Sequence, residues 1–344
     1  MVKRVVHIEN ALEILKILYK DIGNGRYKGI TDNNTSIKEL YANILISGAN
    51  MLDKTGLYKE YFTHENEELA SPKGIINISD SISQQTIFNG KLLCSYDDIS
   101  ENNYLNQIIK ASLMAIKNSE DISNEIKLRT SLILKAFNAV DSINIDKIDF
   151  NRIRYNNSNF RYKTIIDISK TIYNEEKYSK TKEYTEADRL YYLFKKAYTK
   201  IFEKIASKND TVRIIGIDYD ISNNEYDKKI IGSNHEVAID NSDRAVVIKV
   251  IKTQRGSLSS KIYQQNINKL AESVINYEME YKTKASGVIL YVNTDYSVMT
   301  CEQLKLVACK ERMIGIDTID LTDPWKYAST KINKIYKTFI ENGV

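Results

Sequence analysis

Apolar residues recur along this chain in two rhythms, and the change from one to the other organises it. From Ile8 to Ile22, Leu12, Leu15, Leu18, Tyr19 and Ile22 share one helical face. After the polar loop "TDNNTS", Ile37, Leu40, Tyr41, Ile44, Leu45 and Leu52 recur at three- and four-residue steps, with "NTS" as a capping signal for a second helix. "GLYKEYF", "GIINI" and "KLLCSYD" read as short strands, and "THENEELASPKG" between the first two reads as a hairpin tip turning at Pro72 and Gly74. Helical periodicity then returns in "NNYLNQIIKASLMAIKN", "NEIKLRTSLILKAF" and "FRYKTIIDISKTIY".

The polar stretch "NEEKYSKTKEYTEAD" reads as a linker, placing a domain boundary near residue 180. Beyond it the pattern predicts a helix from about Asp188 to Ile205, then strands "TVRIIGIDY", "HEVAI" and "RAVVIKVIK". A helix from about Ser260 to Tyr281, the strands "GVILYV", "LKLVACK" and "MIGIDTIDL", and a terminal helix complete the chain. The expected fold class is α+β, with a mixed domain over 1–180 and a sheet domain over 181–344.

Composition changes this picture little. The chain has 344 residues, 27% charged and 42% hydrophobic, as expected of a globular protein of two domains. No apolar run approaches the roughly 20 residues needed to span a bilayer, and the start is not signal-like, so a cytoplasmic protein without membrane association is expected. Cys94, Cys301 and Cys309 lie in different segments at no disulfide or zinc spacing. The net charge of +4 is weak evidence for a polyanion partner, because abundant Asn, Ile, Lys and Tyr are also what an AT-rich genome imposes.

Helix, three strands, helix, strand resembles the αβββαβ core of the PD-(D/E)XK nucleases. Together with "LISGANMLDKTGLYKEYF", "SPKGIINISDSI" and above all "CSYDDISENNYLNQIIKASL", where a helix opens with Leu105, Asn106, Ile109 and Lys110, the chain resembles the McrC family of McrBC-type modification-dependent (5-methylcytosine) restriction systems. At the start Asn10 and Leu15 fit the family pattern, whereas Glu9 stands where arginine is usual. The resemblance implies a hexameric McrB-like AAA+ GTPase as partner, stimulated by insertion of the N-terminal part into its ring, and double-stranded DNA reached through the complex. The chain has no G-x-x-x-x-G-K-[ST] loop, which suits the partner of an NTPase. Ser71, Pro72, Lys73 and Gly74, at the hairpin tip, are the expected partner-binding residues.

Cleavage in such a fold needs two carboxylates on adjacent strands to hold Mg²⁺, and a lysine two residues after the second, on the same strand face. Glu236 occupies the first acidic position, but Lys249 occupies the second and Ile251 the lysine position. Lys252 points to the opposite face, and Lys269 stands on the following helix where the family typically shows glutamine. The expectation is a degenerate site with weak metal binding at Glu236 or none, no tightly bound cofactor, and Mg²⁺ only if the nuclease is active. Lys249 reads either as an edge or snorkelling lysine or as the cross-strand partner of Glu236.

Rival acid-x-lysine matches are Asp227–Lys229, in a polar loop, and Glu280–Lys282, at a helix end. His7, His64 and His235 are scattered, and Tyr191, Tyr192 and Phe194 read as a base-stacking surface or as core. The leading expectation is an McrC-like GTPase-stimulating subunit with an impaired nuclease domain. The alternatives are an active Mg²⁺-dependent endonuclease built on Asp218, Asp220, Glu236 or Asp240, and a stand-alone DNA-binding module.

Overall fold

The structure is a computed structural model, which describes residues 2–24, 36–179, 185–205, 211–215, 236–240, 244–253, 260–294, 305–309 and 312–338. In chain order it holds α1 (Val2–Leu18), α2 (Lys20–Gly23), α3 (Ile37–Thr55), β1 (Glu60–Leu69), β2 (Ile75–Ile76), α4 (Ile78–Ser83) and β3 (Leu92–Ser100). There follow α5 (Tyr104–Asn118), α6 (Asn124–Ile133), α7 (Lys163–Ser179), α8 (Glu186–Ile205), β4 (Thr211–Ile215), β5 (Glu236–Asp240) and β6 (Arg244–Lys252). Then come α9 (Ser260–Tyr281), β7 (Lys284–Asn293), β8 (Lys305–Cys309), β9 (Arg312–Asp320) and α10 (Trp325–Tyr336). Helices and two separate sheets make this an α+β protein.

The chain forms two compact units, one of residues 41–177 and one of 1–40 with 178–344. The first forty residues therefore group with the C-terminal half, whereas the sequence reading assigned them to a 1–180 domain. The reason is a set of polar contacts across more than 170 residues of chain. The buried Asn10 amide on α1 donates to the carbonyls of Leu321 and Asp323, at 2.9 and 2.8 Å. Lys196 on α8 reaches the Tyr19 hydroxyl at 2.7 Å, and Lys200 reaches the Leu18 carbonyl at 3.0 Å. An apolar helix face announces that it will be buried but not in which core. The presumed linker also starts as helix: α7 runs to Ser179 and buries Asn174 and Glu175.

In the 41–177 unit β3 lies between β1 and β2, paired antiparallel with both. The polar run read as a hairpin tip is mostly strand, since β1 continues through "THENEEL" and only residues 70–74 turn. Exposure on both faces explains this, because such a strand shows no apolar alternation to read. The helical part is organised by Asn106, which is wholly buried at the start of α5. Its N–H is capped by the Asn103 side chain, and its own amide donates to the carbonyls of Tyr58 (2.9 Å) and Glu101 (2.7 Å). The Tyr162 hydroxyl donates to Asn106 Oδ1 at 2.8 Å and accepts from the Tyr58 N–H at 2.7 Å.

In the other unit the sheet order is β4-β5-β6-β7-β9-β8. β4 to β6 form an antiparallel meander, β6, β7 and β9 run parallel, and β8 pairs antiparallel with β9. The crossover helix α9 lays Ile267, Leu270, Ala271, Val274 and Tyr277 on one sheet face. The helix packs closely over Gly287, where a Cβ would lie 2.6 Å from Ile314 Cδ1 and 3.1 Å from Leu270, so those side chains would have to shift to admit one. Asn106→Ala removes a wholly buried hub with three partners, and is expected to destabilise the protein by about 2–3 kcal/mol in urea unfolding, against about 1 kcal/mol for Tyr162→Phe.

Candidate functional site

Glu236 opens β5 and Lys249 lies on β6 directly opposite it in the antiparallel register. The Lys249 ammonium sits 3.0 Å from Glu236 Oε1, with both side chains about 95% buried (5% and 4% exposed). Ile251, two residues along β6, faces the same way and packs against the apolar cluster under α9. Lys252 lies on the opposite face and pairs with Asp188 of α8. Partial burial of Asp188 pushes its carboxyl up, but Lys252 and Thr185 outweigh that and hold it below its ordinary value.

The structure brings together Glu236, Lys249 and Ile251 but not Lys269. Lys269 is exposed, because the inward stripe of α9 passes through residues 267, 270, 271 and 274 and leaves it outside. Asp240, on the same strand face as Glu236, is four residues or roughly 13 Å farther along. Its carboxylate accepts from the Tyr277 hydroxyl at 2.7 Å and faces Arg213 at 3.6 Å, so it serves a different cluster. Asp218, Asp220, Asp227–Lys229 and His235 lie outside the described residues. Glu280 and Lys282 are exposed at the end of α9. Phe194 is core, and Tyr191 is partly buried with its hydroxyl pKa pushed up by burial, which is the structural rather than the stacking alternative.

Mg²⁺ demands several oxygen ligands at about 2.0–2.1 Å. The described residues here do not fit that need: among them one carboxylate is present, an ammonium is bound to it, and the position two residues on is apolar. Among the described residues no group of three or more His, Cys, Asp or Glu could hold a metal ion.

In the small sheet Ser71, Pro72, Lys73 and Gly74 are all exposed. Gly74 has φ +69°, and a Cβ there would meet the Ser95 carbonyl at 2.4 Å, so the turn needs glycine. Lys73 reaches Asp98 at 3.3 Å and lies 4.1 Å over the Tyr96 ring. His64 stacks on the same ring at 4.7 Å, and the Tyr96 hydroxyl donates to Glu67 at 2.7 Å, a bond that pushes the Tyr96 pKa up to about 12. The sequence reading passed over the apolar residues beside this turn. Ile75, Ile78 and Ile82 are 71%, 59% and 59% exposed, and Phe88 is 84% exposed. Their signal was present, with Ile78 and Ile82 one turn apart in "ISDSIS", but periodicity marks such residues as inward-facing.

The pattern of the family described as McrBC 5-methylcytosine restriction system component matches residues 12–249. The chain belongs to the McrBC family. Along its length this McrBC-family chain is similar to the type IV methyl-directed restriction enzyme EcoKMcrBC of Escherichia coli (strain K12), at 19% identity over 358 positions, covering 99% of this chain and all of that protein. Its fold is similar to that of a chain in the half-complex from the tetradecameric assembly of Thermococcus gammatolerans McrB AAA+ hexamers with bound McrC. That match has a TM-score of 0.54 at 13% identity, covering 99% of this chain and 77% of the other.

For this McrBC-family chain the ion pair makes a direct energetic prediction. Lys249→Met leaves a buried carboxylate alone and is expected to cost about 3–5 kcal/mol, whereas Glu236→Leu with Lys249→Met should fall within about 1–2 kcal/mol of wild type or exceed it. Denaturant titration checks this. Equal losses in the single and double variants would mean that the pair contributes packing alone.

Proposed function

We propose that this chain is the McrC-like subunit of a McrBC-type restriction complex, binding an McrB-like hexameric AAA+ GTPase and stimulating it. In this reading the 41–177 unit engages the ring, double-stranded DNA is reached through the complex, and the larger sheet is a PD-(D/E)XK nuclease core whose metal site has degenerated. Family membership and the match to EcoKMcrBC over nearly the whole chain support the assignment. The likeness to a chain from McrB hexamers with bound McrC agrees with it in fold.

The observation that carries the partner role is the exposed apolar set around the small sheet. Ile75, Ile78, Ile82 and Phe88 lie on β2, α4 and the 3₁₀ turn after it. α4 is fastened to β3, with the Ser81 hydroxyl accepting from the Leu93 N–H at 2.8 Å and the Asn77 N–H donating to the Leu93 carbonyl at the same distance. Apolar groups held outward on a fastened frame mark an interaction surface rather than a frayed edge. The nuclease assignment rests on element order, and the degenerate reading rests on Lys249 and Ile251.

Phe88→Asp and replacement of Ser71–Lys73 by Gly-Ser-Gly, leaving Gly74, test the partner role. Phe88→Asp should leave stability within about 0.5 kcal/mol, since the side chain is exposed. With an McrB-like AAA+ GTPase as partner, both variants are expected to lose stimulation of GTP hydrolysis by about tenfold or more, as truncation of interface anchors does. Full stimulation by both would show that the small sheet is not the activating element.

A further inference from the structure

The buried pair at Glu236 and Lys249 holds a cation where a metal-dependent sheet of this order would hold a metal. The two residues are directly opposed on adjacent strands, and their side chains share one face. The ammonium lies 3.0 Å from Oε1 and so occupies one of the two oxygens that a metal would use. Among the described residues, a divalent ion brought there would meet one carboxylate and a repelling positive charge. No second carboxylate among those residues stands beside Glu236. Ile251 belongs to the apolar cluster under α9, and Asp240 is held by Tyr277.

We infer that Lys249 is a resident cation, its ammonium standing in place of the divalent metal and fastening β5 to β6, so that this unit needs no metal to fold or to persist. One side chain thereby replaces a dissociable ligand with a covalently attached one. At about 95% burial the ammonium is also out of reach of a DNA phosphate, which makes its role internal. The inference rests on the proposed nuclease ancestry of the sheet. Its test uses neither the ring partner nor DNA, so its failure is distinguishable from failure of the partner role.

The test uses the full chain with Mg²⁺ or Mn²⁺ alone as the probe, read by calorimetry and by thermal unfolding in metal or in EDTA. A metal present at a hundred times its Kd raises Tm by several degrees in a protein of this size. The wild type is expected to shift by less than about 1 °C and to give no saturable heat, where a filled site would give that larger shift. Lys249→Asp places a second carboxylate opposite Glu236. It should lose stability in EDTA, regain several degrees of Tm in Mn²⁺, and lose that response when Glu236→Ala is added. A saturable wild-type response abolished by Glu236→Gln would overturn the inference, as would a folded Lys249→Asp protein indifferent to Mn²⁺. Should Lys249→Asp fail to fold, wild type against Glu236→Gln decides the question.

Discussion

A lysine in the middle of a doubly covered strand has to be neutralised where it stands, and that requirement fixes much of the larger sheet. Lys249 and Lys252 leave β6 on opposite faces, and each finds a carboxylate, Glu236 from β5 and Asp188 from α8. A slip of one residue between β5 and β6 would turn Lys249 away from Glu236 and leave two charges buried alone. The register that satisfies the pair also places Ala238 opposite Val247 and Asp240 opposite Ala245. From there β7 follows in parallel through α9, which packs closely over Gly287.

The small sheet is held by different means. Its outer strand has little apolar surface to bury and is tied to β3 by paired polar groups: Thr63 to Asp97 at 2.8 Å, Tyr96 to Glu67 at 2.7 Å and Lys91 to Glu68 at 3.3 Å. Exposed pairs of this kind contribute little individually, so backbone pairing and the Gly74 turn carry the shape. That leaves the neighbouring isoleucines and Phe88 free of structural duty. One sheet thus spends its charges inside to fix a register, whereas the other keeps them outside and exposes apolar groups.

The elements of the larger sheet could be read from the sequence because its central strands are continuous apolar runs between amphipathic helices. The pairing of Glu236 with Lys249 was legible as one of two alternatives, and burial decides between them. Lys269 could be placed on α9 from the sequence but not on a face of it, since each step along a helix rotates a side chain by about 100° and the inward stripe leaves it exposed. β1 was cut short because two exposed faces leave no period-2 signal, and α1 was assigned to the wrong unit because its tie runs through Asn10 to carbonyls more than 300 positions away. Local pattern yields elements well; long-range polar contacts are invisible to it.

Buried ion pairs rarely exceed apolar packing in net stability, so raw stability does not account for Glu236 and Lys249. Ile289 and Ile316, on the same face in the next two strands, show that this position in the sheet accommodates apolar side chains. What the pair supplies instead is selectivity of register at the junction where an antiparallel meander meets a parallel run. β5 has five residues and pairs with strands on both sides, so apolar contacts alone would discriminate weakly between adjacent registers. A charge pair discriminates strongly, because every wrong register exposes the full desolvation cost of two ions. Glu236 opposite Lys249 therefore secures the geometry of the sheet at the junction of its antiparallel and parallel halves.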